Sequence, residues 1–320
     1  MMTDIVTITP NPAVDVATSV DCVADTRKLR CSEARRDPGG GGINVARVIQ
    51  RLGGDCLAVY LAGGTTGLLL RQLLDAEHVT GVCLAIAGET RQNFSVSETS
   101  TGRQFRFVLP GPSVAQHEWL RCIEHLEMLA VPPRYMVMSG SLPPGIPVDF
   151  YARLARLARQ RGMRIAVDTS GPALVSVLNE GVSLVKPSLR ELRELTGLPL
   201  HDEEEWRSAA LEIVKGGRAQ MVALTLGERG ALLVTADRTL RLPGLNMQVA
   251  SSIGAGDSFL AAMVWALNRE AGTEEAFHYG LAAASATLLS TGTGLCERAD
   301  VERKYREIQR IRTCAADQGG

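Results

Sequence analysis

The sequence predicts an α/β protein. Its main sheet is mostly parallel, doubly covered by helices, and accompanied by a second, small β-sheet. Three observations carry this. From about residue 115 the short apolar runs "YMVMSG", "RIAVDTS", "SLVKPS" and "MVALTLG" are separated by helix-period segments. Residues 14–36 and 88–110, in contrast, are β-rich with no helix inside them. Hydrophobic residues make up 45% of 320, which is ample for a large core.

Taken in order, "DIVTIT" (4–9) reads as a buried strand. Residues 14–20 and 28–36 read as short strands with polar alternation. "PGGGGINVARVIQRLGG" (38–54) is a glycine turn running into a helix, "CLAVYLA" a strand and "LLLRQLLDAE" a helix. Strands at 91–98 and 103–110 are joined by "TSTG". A helix to about 129, a strand, a helix over 148–161, two strands around a short helix, two more helices and "MVALTLG" follow. "GALLVTADRTLRL" is a β-turn-β unit, and helices dominate 256–311. The tail "TCAADQGG" has the composition of a disordered end. The small sheet would have an exposed face that needs a partner or a ligand.

Bulk properties exclude several classes. A net charge of −1 argues against nucleic acid as the main partner. The apolar runs are too short for a membrane span, and "MMTDIVTITP" does not resemble a signal peptide. Seven cysteines without C-x-x-C spacing fit reduced thiols in a cytoplasm. Five histidines form no H-x-H or H-E-x-x-H pattern, so no transition-metal site is expected. Only four of the 34 basic residues are lysines, and two of them, Lys28 and Lys186, fall within the segments discussed below.

The stretch "SSIGAGDS" (251–258) places an acid after a flexible turn, just before an apolar helix. Gly254, Ala255 and Gly256 can bring backbone N–H groups and a helix dipole to a transferring phosphoryl group. Asp257 beside them can accept a proton from an attacking hydroxyl. The plainer alternative is that Asp257 only caps the helix. "PGGGGINVAR" (38–47) has four consecutive glycines, each costing about 1 kcal/mol relative to alanine in regular structure. It fits neither a Rossmann fingerprint nor a P-loop. A hydroxyl-rich ligand held by backbone groups and Asn44 suits it; a loose turn with Asn44 as a cap is the alternative.

In "LVKPSLRELREL" (184–195) Ser188 and Glu191 stand at capping-box spacing. The functional alternative puts Lys186 and Glu191 at the C-terminal edge of the sheet, with Glu191 helping to hold a hydrated magnesium. The glycines of "TLGERGA" (225–231) either border an adenine-nucleotide pocket or make a plain hairpin. Lys28, Arg30, Arg91 and Arg106 in the β-rich segments are suited to phosphate groups, although arginines are common everywhere in this chain.

Together these segments resemble the ribokinase superfamily, also called the phosphofructokinase B (PfkB) family of sugar kinases. The likeness spans roughly 4–311 and includes "TPNPAVD", "PGGGGINVAR", "AGGTTG", "TRQNF", "SGSLPPG", "VDTSG", "KPSLREL", "TLGERGA" and "GAGDSF". "KLRC", "TRQN", "RFVLPG" and "TGTGLC" are similar to the minor, type-2 6-phosphofructokinase branch. The resemblance implies one ribokinase-like unit: a three-layer α/β/α domain over about 1–12, 37–87 and 111–311, a β lid over about 13–36 and 88–110, and a tail over 312–320. It also implies a cytoplasmic homodimer packed through the lids.

By the same resemblance Asp257 is the general base, and Gly254, Ala255 and Gly256 form the anion hole. The sugar phosphate is expected at Asp15, Gly40, Gly41, Gly42, Asn44, Arg91, Asn93 and Gly140, with Lys28 and Arg30 approaching from a lid of this chain or its neighbour. ATP is expected at Lys186, Ser188, Thr225, Gly227, Gly230 and Ser285, and Mg2+ near Glu191, mostly through water. A potassium ion (K+) is expected at backbone groups near Ser251, Ile253, Thr287, Ser290, Gly292 and Gly294. The chain departs from the family pattern at Ser188, where Asn is usual, at Ser251-Ser252 for Asp-Thr, and at Ser290 and Gly294. The implied reaction is ATP-dependent phosphorylation of the C1 hydroxyl of fructose 6-phosphate. Tagatose-6-phosphate kinase, 1-phosphofructokinase and a non-catalytic sugar-phosphate-binding regulator are the alternatives.

Overall fold

The computed structural model describes residues 3–317, with side chains through residue 311. Among these residues the chain runs β1 (Ile5–Thr9), β2 (Ala13–Val20), β3 (Arg35–Gly39), α1 (Gly41–Arg51), β4 (Cys56–Ala62), α2 (Gly64–Ala76), β5 (Gly81–Ala85), β6 (Arg91–Glu98) and β7 (Gln104–Phe107). It continues through α3 (Gln116–Glu127), β8 (Tyr135–Ser139), α4 (Phe150–Gln160), β9 (Arg164–Asp168), α5 (Gly171–Leu178), β10 (Val182–Val185), α6 (Leu189–Thr196), α7 (Glu203–Lys215) and β11 (Ala219–Thr225). A hairpin of β12 (Ala231–Val234) and β13 (Thr239–Leu242) leads to α8 (Ala255–Asn268), α9 (Thr273–Thr287) and α10 (Arg298–Asp317).

Nine strands form the main sheet in the order β13-β12-β11-β10-β9-β8-β1-β4-β5. All its pairings are parallel except those of the β12–β13 hairpin. Side chains along the inner strands alternate between two cores. Val6, Ile8, Met136, Met138, Ile165 and Val167 meet the helices carrying Trp119, Phe150 and Trp206. Ile5, Tyr135, Val137 and Ala166 meet α1, α8 and α9 on the other face. The period of two places residues i and i+2 on one face, which makes three layers. The family-like three-layer α/β/α reading therefore holds.

The second sheet has four strands, β3-β2-β6-β7, with β2 and β6 parallel. Here the strand expected at 28–36 is displaced. Residues 21–34 form no regular element and are mostly exposed, and β3 begins at Arg35. Pro38 is tolerated because β3 is an edge strand. Gly39 ends that strand because a Cβ there would lie 2.3 Å from Asp15 Oδ2. The small sheet thus reaches into the glycine run, past the expected boundary at residue 36. The strand expected at 103–110 ends at Phe107, and the edge strand β5 had no counterpart in the sequence reading. The expected tail from 312 is helical through Asp317: nothing between Thr313 and Asp317 breaks a helix, and Ala315 and Ala316 favour one. Residues 318–320 of that tail lie outside the described residues.

The chain leaves β1 in one direction toward β4 and β5, then returns to β8 on its other side. Open α/β sheets bind ligands beyond the strand C-termini at such a reversal. Thr9, Ser139, Asp168, Val185 and Thr225 all end strands on that edge. Among the described residues no helix is long and apolar enough to cross a membrane.

Close approach of α1 to β1 is required here. A Cβ at Gly42 would lie 2.4 Å from Thr9 Oγ1 and 2.8 Å from the Ile8 carbonyl oxygen. Gly42→Ala is therefore expected to lower stability by about 1–3 kcal/mol, because the obstacle includes backbone. Urea unfolding of the two proteins, compared at equal m-values, checks this.

Candidate active site

Helix α8 starts at Ala255 with Gly254 as its N-cap residue, in the left-handed region at φ 77°. A Cβ at Gly254 would strike Leu295 Cδ2 at 2.5 Å, so glycine is required twice over. No side chain caps the helix. Asp257 is the third residue of the first turn, so the capping alternative fails. Ala255 N–H reaches the Ser252 carbonyl at 3.4 Å, and the N–H groups of Gly256 and Asp257, which have no intrahelical acceptors, are open to a ligand.

Two cavities meet at this helix start, and both are lined by Ser252 and Gly256. The first, of about 360 Å³, is polar. Asp15, Gly40, Gly41, Asn44, Arg91, Asn93, Gly140, Glu191, Gly254 and Asp257 line it, as the sequence led us to expect. So do Arg106, Ser139, Asp168 and Thr169. Asp15 and Asn93 are opposite each other on β2 and β6, and Asn93 Nδ2 donates to Asp15 Oδ1 at 2.8 Å. Burial raises the Asp15 carboxyl, against the opposing pull of Asn93, Arg106, Arg91 and Arg47. Arg91 is held by the carbonyls of Leu109 and Asn11, each at 2.9 Å. Its buried Nε has no partner.

Asp257 Oδ2 accepts a hydrogen bond from Asn44 Nδ2 at 2.9 Å. Burial, and then the nearby Asp168 carboxylate, push the Asp257 carboxyl up to about 7. Asn44, Lys186 and Arg106 pull it back. Lys186 pairs with Asp168 at 3.1 Å and is buried. Burial alone would lower the Lys186 pKa, but Asp168, Glu191 and Asp257 together raise it. The amine is charged, and it lies 3.4 Å from where a Gly256 Cβ would be. Lys186 thus supports the helix start from beneath and does not line the second cavity.

That second cavity, of about 400 Å³, is mainly apolar, with Leu245, Met247, Phe259, Leu281 and Leu288 in its walls. Ser188, Thr225, Gly227, Gly230, Ala255 and Ser285 also line it, so five of the six residues expected to hold a nucleotide gather there. Ser188 and Glu191 form a true capping box on α6, at 3.3 Å and 2.8 Å. The capping reading of that pair holds, and Ser188 and Glu191 also line the second and the first cavity respectively. A wider hollow of about 770 Å³ lies at the opposite sheet edge, by Arg164, Gln220 and Asp237.

Beside the helix start, the loop after α9 approaches residues 251–253. Ser251 Oγ donates to the Gly292 carbonyl at 2.6 Å and accepts from Ile253 N–H at 3.3 Å. Thr287 Oγ1 bonds Ser258 Oγ at 2.7 Å, and Ser290 Oγ donates to the Leu295 carbonyl at 3.3 Å. Gly292 is left-handed at φ 63°, and Gly294 packs on Ser290. All six residues expected around a monovalent cation are thus neighbours in one loop cluster. Among the described residues no group of three or more His, Cys, Asp or Glu side chains could hold a metal by itself.

The family model described as pfkB family carbohydrate kinase matches residues 8–300. The chain belongs to this family. It is 45% identical over 301 residues to "ATP-dependent 6-phosphofructokinase isozyme 2" of Mycobacterium tuberculosis, across 94% of this chain and 88% of that one. It is 39% identical over 310 residues to the Escherichia coli protein of the same name, across 97% and 100%. The structure of E. coli phosphofructokinase-2 in complex with fructose-6-phosphate matches with a TM-score of 0.90 at 38% identity, over 96% of this chain and 100% of that one. A potassium complex of that protein matches with a TM-score of 0.91.

Four residues of this pfkB kinase expected to hold sugar phosphate or nucleotide line neither cavity: Gly42, Lys28, Arg30 and Lys186. Gly42 is packed under α1 against β1. Lys28 and Arg30 are exposed in the irregular stretch before β3. Conversely, sequence reasoning missed Asp168. The available signal was its place at the C-terminal end of a strand, in "VDTSG", beside the similarly placed Lys186. Arg106 had been noticed only as one arginine among many.

Folding raises the Asp257 carboxyl from 3.8 to about 7, so its ionisation opposes folding between those values. Stability from this group is complete below the lower value and is lost as pH rises through the upper one. Asp257→Asn is expected to melt above the parent at about pH 8, with the gain disappearing near pH 4. A calorimetric pH series checks the sign.

Proposed function

We propose that this kinase transfers the γ-phosphoryl group of ATP to the C1 hydroxyl of fructose 6-phosphate. The observation that carries the proposal is Asp257 beside an uncapped helix start, where a polar and an apolar cavity meet. ATP lies with its base in the apolar cavity and its phosphates toward the first turn of α8. The sugar lies in the polar cavity, with hydroxyls on Asp15, Asn44 and the backbone at Gly40 and Gly41, and its phosphate toward Arg91 and Arg106. The names of the two relatives, and the sugar phosphate bound to the E. coli protein, support this choice.

In the reaction the C1 oxygen attacks the γ-phosphorus in line, the bond from that phosphorus to the β–γ bridging oxygen breaks, ADP leaves, and Asp257 takes the hydroxyl proton. Negative charge spread over the transferring group meets the N–H groups at Gly254–Asp257, and Lys186 adds its charge from below. Most catalysis of phosphoryl transfer comes from such positioning and charge stabilisation. Glu191 and Asp168 line the polar cavity, a carboxylate donor set that would suit a largely hydrated Mg2+, which would supply charge to offset that of the phosphates. The oxygens around Ser251, Ile253, Thr287, Ser290 and Gly292 suit K+, with Gly294 shaping their loop.

An ADP-release assay with ATP and magnesium tests this reading. Fructose 6-phosphate is expected to outrun tagatose 6-phosphate and fructose 1-phosphate, and replacing potassium by tetramethylammonium should slow the reaction. Asp257→Asn should lose roughly 10²–10⁴ in rate while keeping its fold. Preference for another sugar phosphate would move the substrate and keep the mechanism, whereas near-parental turnover in Asp257→Asn would remove the base.

The lid supports a homodimer. Leu29, Phe94, Phe107, Val108 and Leu109 are exposed on it, and Lys28 and Arg30 stand clear of their own cavity. Packing two lids together covers the apolar face and lets each chain offer these cations to its neighbour. Phe107→Glu is expected to give a monomer in sedimentation and a raised KM for the sugar phosphate. A dimer with an unchanged KM would contradict the arrangement.

A further inference from the structure

The proposed mechanism uses Asn44 and Asp257 but leaves a fully buried cation behind them unexplained. Arg47 is 1% exposed on α1, and burying a guanidinium is costly unless every donor is used. Here its fork is well occupied. Nε donates to Glu77 Oε2 at 2.8 Å, and Nη2 to Glu77 Oε1 at 2.5 Å. Nη1 donates to the Pro38 carbonyl at 2.8 Å and to Asn44 Oδ1 at 3.3 Å. Asn44 and Arg47 are three residues apart on the helix, so they share a face.

We propose that Arg47 is a positioning residue for phosphoryl transfer: it fixes which way the Asn44 amide points, and Asn44 thereby holds Asp257 in place as the base. This inference rests on the function proposed above. A guanidinium carries donors only, so only the oxygen end of the amide can face it. With Oδ1 on Arg47, Nδ2 must face the other way, onto Asp257 Oδ2. A flipped amide would set N–H against N–H at Arg47 and oxygen against carboxylate at Asp257. Both contacts are repulsive, so the amide has one orientation.

Glu77 anchors the arrangement from outside. It follows α2, is half-buried, and also accepts from Arg51 Nη2 at 3.3 Å. Burial alone would raise its carboxyl, but Arg47 and then Arg51 hold it below the usual carboxylate range. The order of contacts is therefore Glu77, Arg47, Asn44, Asp257. The bond from Arg47 to the Pro38 carbonyl ties the same guanidinium to β3 of the lid. The other charges facing Asp257 come from different elements: Asp168 ends β9, Lys186 follows β10, Arg106 is on β7, and Asp15 and Glu191 line the same cavity from β2 and α6. None of these contacts Asn44 in the way Arg47 does.

The test is a double-mutant cycle in the full-length protein. Arg47→Met, Arg47→Lys and Glu77→Gln are made alone and with Asn44→Ala, and kcat and KM are measured with the best sugar phosphate. Arg47→Met is expected to lower kcat roughly ten- to a hundredfold while KM rises less, as for loss of a bond that orients a charged group. In the Asn44→Ala background that loss should shrink to about twofold or less, because the two residues act as one unit. Arg47→Lys, which restores one donor, should recover part of kcat. An equal loss in both backgrounds, or a parental kcat in Arg47→Met, would overturn the proposal.

If Arg47→Met does not fold, Glu77→Gln decides the matter. It keeps the guanidinium but loosens its anchor, so kcat should fall severalfold in the parent and not in Asn44→Ala; an unchanged kcat overturns the relay. A parent inactive on every sugar phosphate would defeat the functional reading and not this one. The relay is then read without substrate, by NMR titration of the Asp257 carboxyl carbon. Arg47→Met or Glu77→Gln should move that titration upward in the parent and much less in Asn44→Ala, and an unmoved titration overturns it.

Discussion

A half-buried helix start that no side chain caps is the constraint on which the rest of this molecule depends. The first-turn N–H groups of α8 carry partial positive charge and have no intrahelical partner. Their direction is set by the left-handed turn at Gly254, which Leu295 presses from behind. Thr287 holds Ser258 in the same turn, and the loop from Ser290 to Cys296 closes around it. The glycines around Asp257 are therefore parts of a rigid frame, which directs backbone donors of the helix start toward the two cavities.

Electrostatics follows from placing four carboxylates, Asp15, Asp168, Glu191 and Asp257, around one small polar cavity. They cannot all ionise at no cost. Lys186, one of only four lysines, lies against Asp168 and draws its charge stability from three of them. The result separates the acids by role. Asp168 is neutralised by its partner, Glu191 is spent partly on its helix cap, and Asp257 keeps a raised pKa suited to taking up a proton. An isolated acid on a helix N-terminus would have been pulled the other way. Burial and a like charge overcome the dipole here.

The fold brings these groups together because parallel strands all end on one edge. Thr9, Ser139, Asp168, Lys186 and Thr225 are far apart in sequence and close at that edge. The small sheet closes the polar side through Asp15, Arg91, Asn93 and Arg106, while the segment after β13, with Leu245 and Met247, and α9 supply the apolar side. Arg47 links the small-sheet strand β3 to Asn44, which in turn bonds Asp257. Its buried cost is offset only while Glu77, Pro38 and Asn44 are all in place.

The sequence by itself determined the layered α/β class, because apolar runs and helix periods are local signals. It also revealed the glycine turns and the acid of "GAGDS", since a glycine run and an acid set between a glycine turn and an apolar helix are local features. Its capping box at Ser188 and Glu191 was legible for the same reason: three residues decide it. Positions fixed by distant partners were not legible. Only the tertiary structure decided that β3 starts at Arg35, where pairing with β2 overrides the polar alternation of 28–36, and that Gly42 serves packing against Thr9. Only it put Asp168 beside Lys186 and Asn44 beside Asp257, the latter across 213 residues of chain. The physical reason is that burial, charge pairing and hydrogen-bond direction belong to neighbours in space, while the sequence records only neighbours along the chain.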